Sequence, residues 1–261
     1  MRSIAMGIPG ENNLPAATRF DWGLSAQNGL QLGSSCTKLR NMSELQVDIW
    51  SDIACPWCYI GKRRLEQALR LLHERVAVQV TWHSFELNPN APQRSEDGRY
   101  VERLAKKYGT TTLEAEQMIA RVRDTARADG LELNFDVIRP GNTFDAHRLL
   151  HLAKDQGLQD TLKERFFHAY FCEGAEIGVS ATLMTLATEV GLSEQRVRSV
   201  LSSEEFAADV RQDEGDAREM GVSGVPFFVL GGRYAVSGAQ PAELLKSALE
   251  KALSVEAVQT V

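Results

Sequence analysis

The chain has 261 residues, 43% of them hydrophobic and 25% charged, with a net charge of −6. That composition is ordinary for a globular protein and long enough for a large core, held in one domain with an insertion or in two small ones. The acidic balance argues against a general nucleic-acid role, and no run approaches the roughly 18 apolar residues of a membrane span.

Residues 1–41 carry scattered glycines and polar residues without sustained periodicity, and Ile4 to Ile8 is too short for a secretory apolar core. They read as a disordered leader, or an extension added upstream of a natural start at Met42, with Cys36 an incidental thiol. Leu45 to Asp52 then alternates apolar and polar residues as a strand does. It leads into Cys55-Pro56-Trp57-Cys58 and a helical run, Trp57 to Leu72, striped by Leu65, Leu69 and Leu72. Val76 to Phe85 alternates again as a second strand, with Trp82 and Phe85 read as core aromatics. After a Pro-rich loop from Asn88 to about Gly98 comes a block of helical segments. These are Tyr100–Tyr108, Thr112–Ala128, one capped by Asn142 and running to Gln156, Leu158–Phe171, Ser180–Val190 and Ser193–Leu201, then one capped by Ser202 or Ser203 and ending at Met220. The sheet resumes with Val225–Leu230, a Gly231-Gly232 turn and Arg233–Ser237, closed by a helix over Ala239–Leu253.

Two thiols at this spacing on a strand-to-helix junction read as a redox pair. A helix N-terminus offers unpaired N–H donors and partial positive charge, which stabilise a thiolate. Pro56 suits the first helical position, which puts Cys55 on the N-cap, its sulfur expected to face the N–H groups of Trp57 and Cys58. The expectation is an exposed, acidified Cys55 and a more buried, resolving Cys58. A zinc site needs a second closely spaced pair of ligands; the sequence has none, and no metal is expected. His147 and His151 lie one helical turn apart and are read as solvated or capping residues, and Cys172 as a buried small residue.

The CxxC after the first strand, the order βαβ, helices, ββα, and a Val-Pro opening a late strand resemble the thioredoxin-like fold of the DsbA family. The segments SDIACPWCYIGKRRLE, FELNP, NTFDAHRLLHLAK and GVSGVPFFVLGGRYAVSGAQ are similar to its FrnE-type members. The resemblance implies an α/β, thioredoxin-like fold with a large all-helical insertion between the second and third sheet strands. Residues 42–97 and 221–261 would form the thioredoxin-like domain, and 98–220 the helical insertion domain. It implies a thiol–disulfide oxidoreductase in which Cys55 is the nucleophile, Cys58 the resolving thiol and Pro56 and Trp57 complete the motif. Pro226 would be a cis-proline beside the dithiol, letting a substrate chain pair with Val225.

The resemblance extends to glutathione-dependent 2-hydroxychromene-2-carboxylate isomerases and kappa-class glutathione transferases. In them a serine typically takes the first cysteine position, so Cys55 favours dithiol chemistry; the alternative is a glutathione-dependent isomerase or transferase acting on a small aromatic substrate. A third reading is a non-enzymatic holdase with an apolar groove around Trp57 and Pro226. The expected partners are protein thiols or disulfides, with glutathione or a recycling reductase as redox partner, and neither nucleic acid nor membrane; the oligomeric state is left open. No bound cofactor is expected, and the location is read as cytoplasmic, where a dithiol is usually catalytic.

Overall fold

The computed structural model describes residues 18–19, 44–72, 77–94 and 98–256. Within the stretch expected to be disordered, Thr18–Arg19 (β1) form a two-residue strand; the rest of 1–41, Cys36 included, lies outside the described residues. In chain order there follow β2 (Glu44–Ser51), α1 (Pro56–Leu71), β3 (Ala77–Ser84), α2 (Tyr100–Tyr108), α3 (Thr112–Ala128), α4 (Phe144–Asp155) and α5 (Gln159–His168). α5 runs into a π-helical turn, Ala169–Glu173, and then come α6 (Ser180–Glu189), α7 (Glu194–Leu201), α8 (Ala207–Glu219), β4 (Phe227–Leu230), β5 (Tyr234–Ser237) and α9 (Ala242–Glu256).

The strands form one sheet in the order β1-β5-β4-β2-β3. β2 and β3 are parallel, Trp50 opposite His83, and β4 lies antiparallel to β2 on its other side, Trp50 opposite Phe227. The fold is thioredoxin-like with α2 to α8 inserted between β3 and β4, as the resemblance implied. The period-2 alternation of β2 sorts its side chains between two layers. Leu45, Val47 and Ile49 join Phe228 and Leu230 of β4 under Leu65 and Ala68 of α1 and Leu245 and Leu249 of α9. On the opposite face Trp50 packs with Ala217 of α8 and Val222. A third cluster joins Ile53, Cys55, Cys58, Tyr59 and Ile60 to the insertion through Leu149, Leu162, Phe166, Phe167 and Phe171. The face of α1 that carries Cys58 and Tyr59 therefore packs into the core of the inserted helices.

Local chemistry shifts several expected boundaries. Thr143, not Asn142, stands at the N-cap position of α4, while the Asn142 side-chain oxygen accepts the Phe144 N–H at 2.9 Å from one residue further out. Val179 rather than Ser180 precedes α6. Ser202 and Ser203 do not cap α8, which starts after Phe206 in the left-handed region (φ 62°). The turn between them is tied instead by the buried Arg148, whose guanidinium donates to the carbonyls of Val200, Ser203 and Glu205.

β2, β3 and α8 are clamped by an ion cluster. His83 bonds Asp213 at 2.8 Å through Nδ1 and Asp48 at 2.9 Å through Nε2, with its ring stacked on Trp50 at 4.3 Å. Asp213 also accepts the Ser84 N–H at 2.7 Å and faces His151 Nε2 at 3.0 Å. Burial alone would push His83 down, but the two carboxylates outweigh it and hold its pKa at about 9.

Candidate functional site

Cys55 occupies the N-cap of α1 with Pro56 directly after it, as the spacing predicts. Its sulfur behaves otherwise. The Cys58 N–H is directed at Cys55's own carbonyl oxygen at 3.0 Å, and the sulfur makes no capping bond. The thiol instead donates to the Val225 carbonyl at 3.5 Å, across to the loop before β4. Cys55 is buried, not exposed, because the insertion covers it: Cys55 and Cys58 both have 0% of their surface accessible. Both are free thiols.

The expected acidification of Cys55 is also reversed. The hydrogen bond with Cys58 and then burial hold its thiol well above the ordinary range; the Cys58 backbone N–H pulls the other way and loses. A helix terminus stabilises a thiolate that faces its donors, but a buried thiol touching a second thiol resists giving up the pair's last proton.

The Val225–Pro226 peptide is cis, and Pro226 stands against α1. Gly61 leaves no room for a side chain there: a Cβ would lie 2.9 Å from Pro226 Cγ and 3.3 Å from Phe228 Cζ. Trp57 is half-buried against the same cluster as the cysteines. Structure thus brings together Cys55, Cys58, Pro56, Trp57, Val225 and Pro226 at one end of β2 and β4.

Sequence reasoning missed the polar groups beneath the pair. Asp52, between β2 and α1, is buried, and its carboxylate accepts the Leu87 N–H at 2.8 Å and the Ala54 N–H at 3.4 Å. Burial opposes its charge, yet His147 and the Leu87 N–H hold its pKa below the usual carboxylate value. His147 Nε2 stands 3.5 Å from Asp52 and has no hydrogen-bond partner among the described residues; burial keeps the ring's pKa low. So His147 is not solvated and does not share a ligand with His151, which turns to Ser84 and Asp213. No group of three or more His, Cys, Asp or Glu suited to a metal occurs among the described residues. Lys163 of α5 is fully buried, its ammonium 3.4 Å from the Ser51 carbonyl. Cys172 is half-buried rather than buried, donating to the Glu132 carbonyl at 3.3 Å. The one available signal for these polar groups was a charged residue on an apolar helical stripe, as at His147 and Lys163.

The DSBA-like thioredoxin domain family matches residues 46–250. The chain belongs to that family. A probable DsbA oxidoreductase from Streptomyces coelicolor is 41% identical, with a TM-score of 0.76 covering 80% of this chain and 90% of that one. An uncharacterised Bacillus subtilis protein, YwbO, is 29% identical over 81% of this chain and 97% of its own length. A 2-hydroxychromene-2-carboxylate isomerase shares the fold, with a TM-score of 0.57 at 18% identity over 82% of this chain and 98% of that one. Members of the DsbA-like family act on thiols and disulfides. No helix among the described residues is long and apolar enough to cross a membrane.

Proposed function

We propose that this DsbA-like chain is a FrnE-type protein thiol–disulfide oxidoreductase that works through the Cys55–Cys58 pair. The observation that carries the reading is Cys55 at the N-cap of α1, in contact with both Cys58 and the Val225 carbonyl. Cys55, as thiolate, attacks a substrate disulfide; one substrate sulfur leaves as a thiol and the other stays bonded to Cys55. Cys58 then attacks the Cys55 sulfur, releasing the second substrate thiol and leaving a Cys55–Cys58 disulfide. The substrate disulfide gains two electrons and the enzyme dithiol loses them. An extended substrate segment would align along Val225-Pro226. Glutathione or a reductase would return the pair to the dithiol, in the cytoplasm, with no bound cofactor and no metal.

Replacing Cys58 by serine removes resolution while leaving attack intact. A Cys58→Ser variant is therefore expected to accumulate a covalent complex with insulin, visible on a non-reducing gel and cleared by dithiothreitol. Absence of that complex would sink the assignment of roles. A glutathione-dependent turnover of small aromatic substrates that survives Cys58→Ser would support the isomerase or transferase reading instead.

The pair is read as a reductant. A strongly oxidising pair owes its potential to a stabilised thiolate in the reduced form, and Cys55 has the opposite environment, its thiol favoured by Cys58 and by burial. Equilibration with glutathione redox buffers should place the potential nearer thioredoxin's, about −270 mV, than DsbA's, about −120 mV. A value near the second would overturn the direction.

A further inference from the structure

Position 61 interrupts the stripe that seats α1 on the sheet. Leu65 and Ala68 pack in one cluster with Phe228 of β4, and one turn earlier on the same side of α1 stands Gly61, buried. A glycine inside a helix weakens it relative to alanine. No left-handed φ calls for a glycine here. Space does. A Cβ at this position would lie 2.9 Å from Pro226 Cγ, whereas carbon atoms pack at about 3.5 to 4.0 Å. The Cγ belongs to a ring closed on the main chain, so it cannot rotate aside and the Pro226 peptide itself would have to move.

That peptide is held elsewhere by the sheet. Phe227, the next residue, is opposite Trp50 of β2 and Ser237 of β5, and the Pro226 carbonyl accepts the Gly238 N–H at 2.8 Å. Pairing fixes the loop along and across the sheet. What remains is its distance from α1, and that is set where the Pro226 ring meets position 61. The Val225 carbonyl, on the preceding peptide, accepts the Cys55 thiol at 3.5 Å, a distance already at the outer limit of such a contact.

We propose that Gly61 is a positioning residue for the dithiol reaction. Its missing side chain seats Val225-Pro226 against α1, and this brings the Val225 main chain to the Cys55 sulfur. The seat thereby sets the edge along which a protein substrate aligns for attack by Cys55. The inference rests on the dithiol scheme above and extends it to a residue that touches neither sulfur nor substrate.

Gly61→Ala tests the seat because its two consequences have opposite signs. A loop lifted from α1 withdraws the carbonyl that favours the protonated Cys55 thiol and uncovers a buried sulfur. It also displaces the edge that an extended substrate must use. In a background with Cys36→Ser and Cys172→Ser, Ellman's reagent loads Cys55, releasing one aromatic thiolate, and needs no strand alignment. That first release should be about threefold faster at pH 7, while insulin reduction slows by about tenfold or more. Two unchanged rates, or two rates that move together, would overturn the proposal. Pro226→Ala supplies a second test. It removes the Cγ and keeps the Cβ, which a Cβ at position 61 would meet at an ordinary 3.5 Å. In that background Gly61→Ala should fold even where it does not alone, and should change the Ellman rate by less than about twofold. An effect that persists without the ring would refute the seat. A parent protein inert toward insulin, with a faster Ellman phase in Gly61→Ala, would fault the protein-substrate assignment alone.

Discussion

A Cys55→Ser variant is expected to lose insulin-disulfide reduction by at least about a hundredfold while keeping its fold. The reaction needs a sulfur anion that can both attack and be displaced, and a serine hydroxyl supplies neither near neutral pH. The substitution is mild structurally: a hydroxyl in place of the thiol can still donate to the Val225 carbonyl, the contact made now at 3.5 Å. Turbidity from precipitating insulin B chain reads the activity, and far-ultraviolet circular dichroism the fold. Equal activity in the two proteins would refute dithiol chemistry, and with it the placing of the reaction centre at the head of α1.

An Asp213→Ala variant is expected to lose about 3 to 5 kcal/mol of stability near pH 7, because it strands a charged histidine and a buried backbone donor. His83 faces Asp213 and Asp48, and the Ser84 N–H faces Asp213, all within 3.0 Å. The side chains of His83 and Asp213 are 17% and 10% exposed, too enclosed for water to replace what is removed. The pH dependence is signed. His83 binds its proton more tightly folded, at about 9, than at its ordinary 6.5. Its contribution is therefore full below 6.5 and lost as pH rises to about 9. Asp213 is depressed, burial being overcome by His151 and His83, so its contribution fades only as pH falls through the acid range. Urea titrations at several pH values should show the deficit of the variant largest between these limits and shrinking toward pH 9. A constant deficit would assign the loss to packing rather than charge.

These two sites differ in how far they can be read from sequence. The dithiol is legible because its parts are adjacent: a strand pattern, Pro56 at the first helical position and two thiols three residues apart need no tertiary information. The Gly231-Gly232 turn and the paired strands around it are local in the same way. The His83–Asp213 clamp joins residues separated by 130 positions, and neither residue stands out in its own segment. The state of Cys55 escapes a sequence reading for a related reason. Local geometry predicts an N-cap sulfur in the field of the helix, but what sets its proton affinity is burial under α4 and α5 and contact with Cys58. The single helix expected over Leu158–Phe171 ends instead in a π-helical turn after His168, the one irregularity that no residue in that run announces.

The third hydrophobic cluster, which runs from Cys55 and Cys58 through Tyr59 into Phe166 and Phe167, has a consequence for how this enzyme could diversify. The sheet and the Pro226 loop fix where the sulfurs stand, while the residues that bury them, Leu149, Leu162 and Phe166 among them, ride on the inserted helices α4 and α5. Substitutions in α4 and α5 can therefore retune the chemistry of the pair while every sheet contact stays as it is. Position and reactivity are inherited on separate stretches of chain, so one can drift while the other is held.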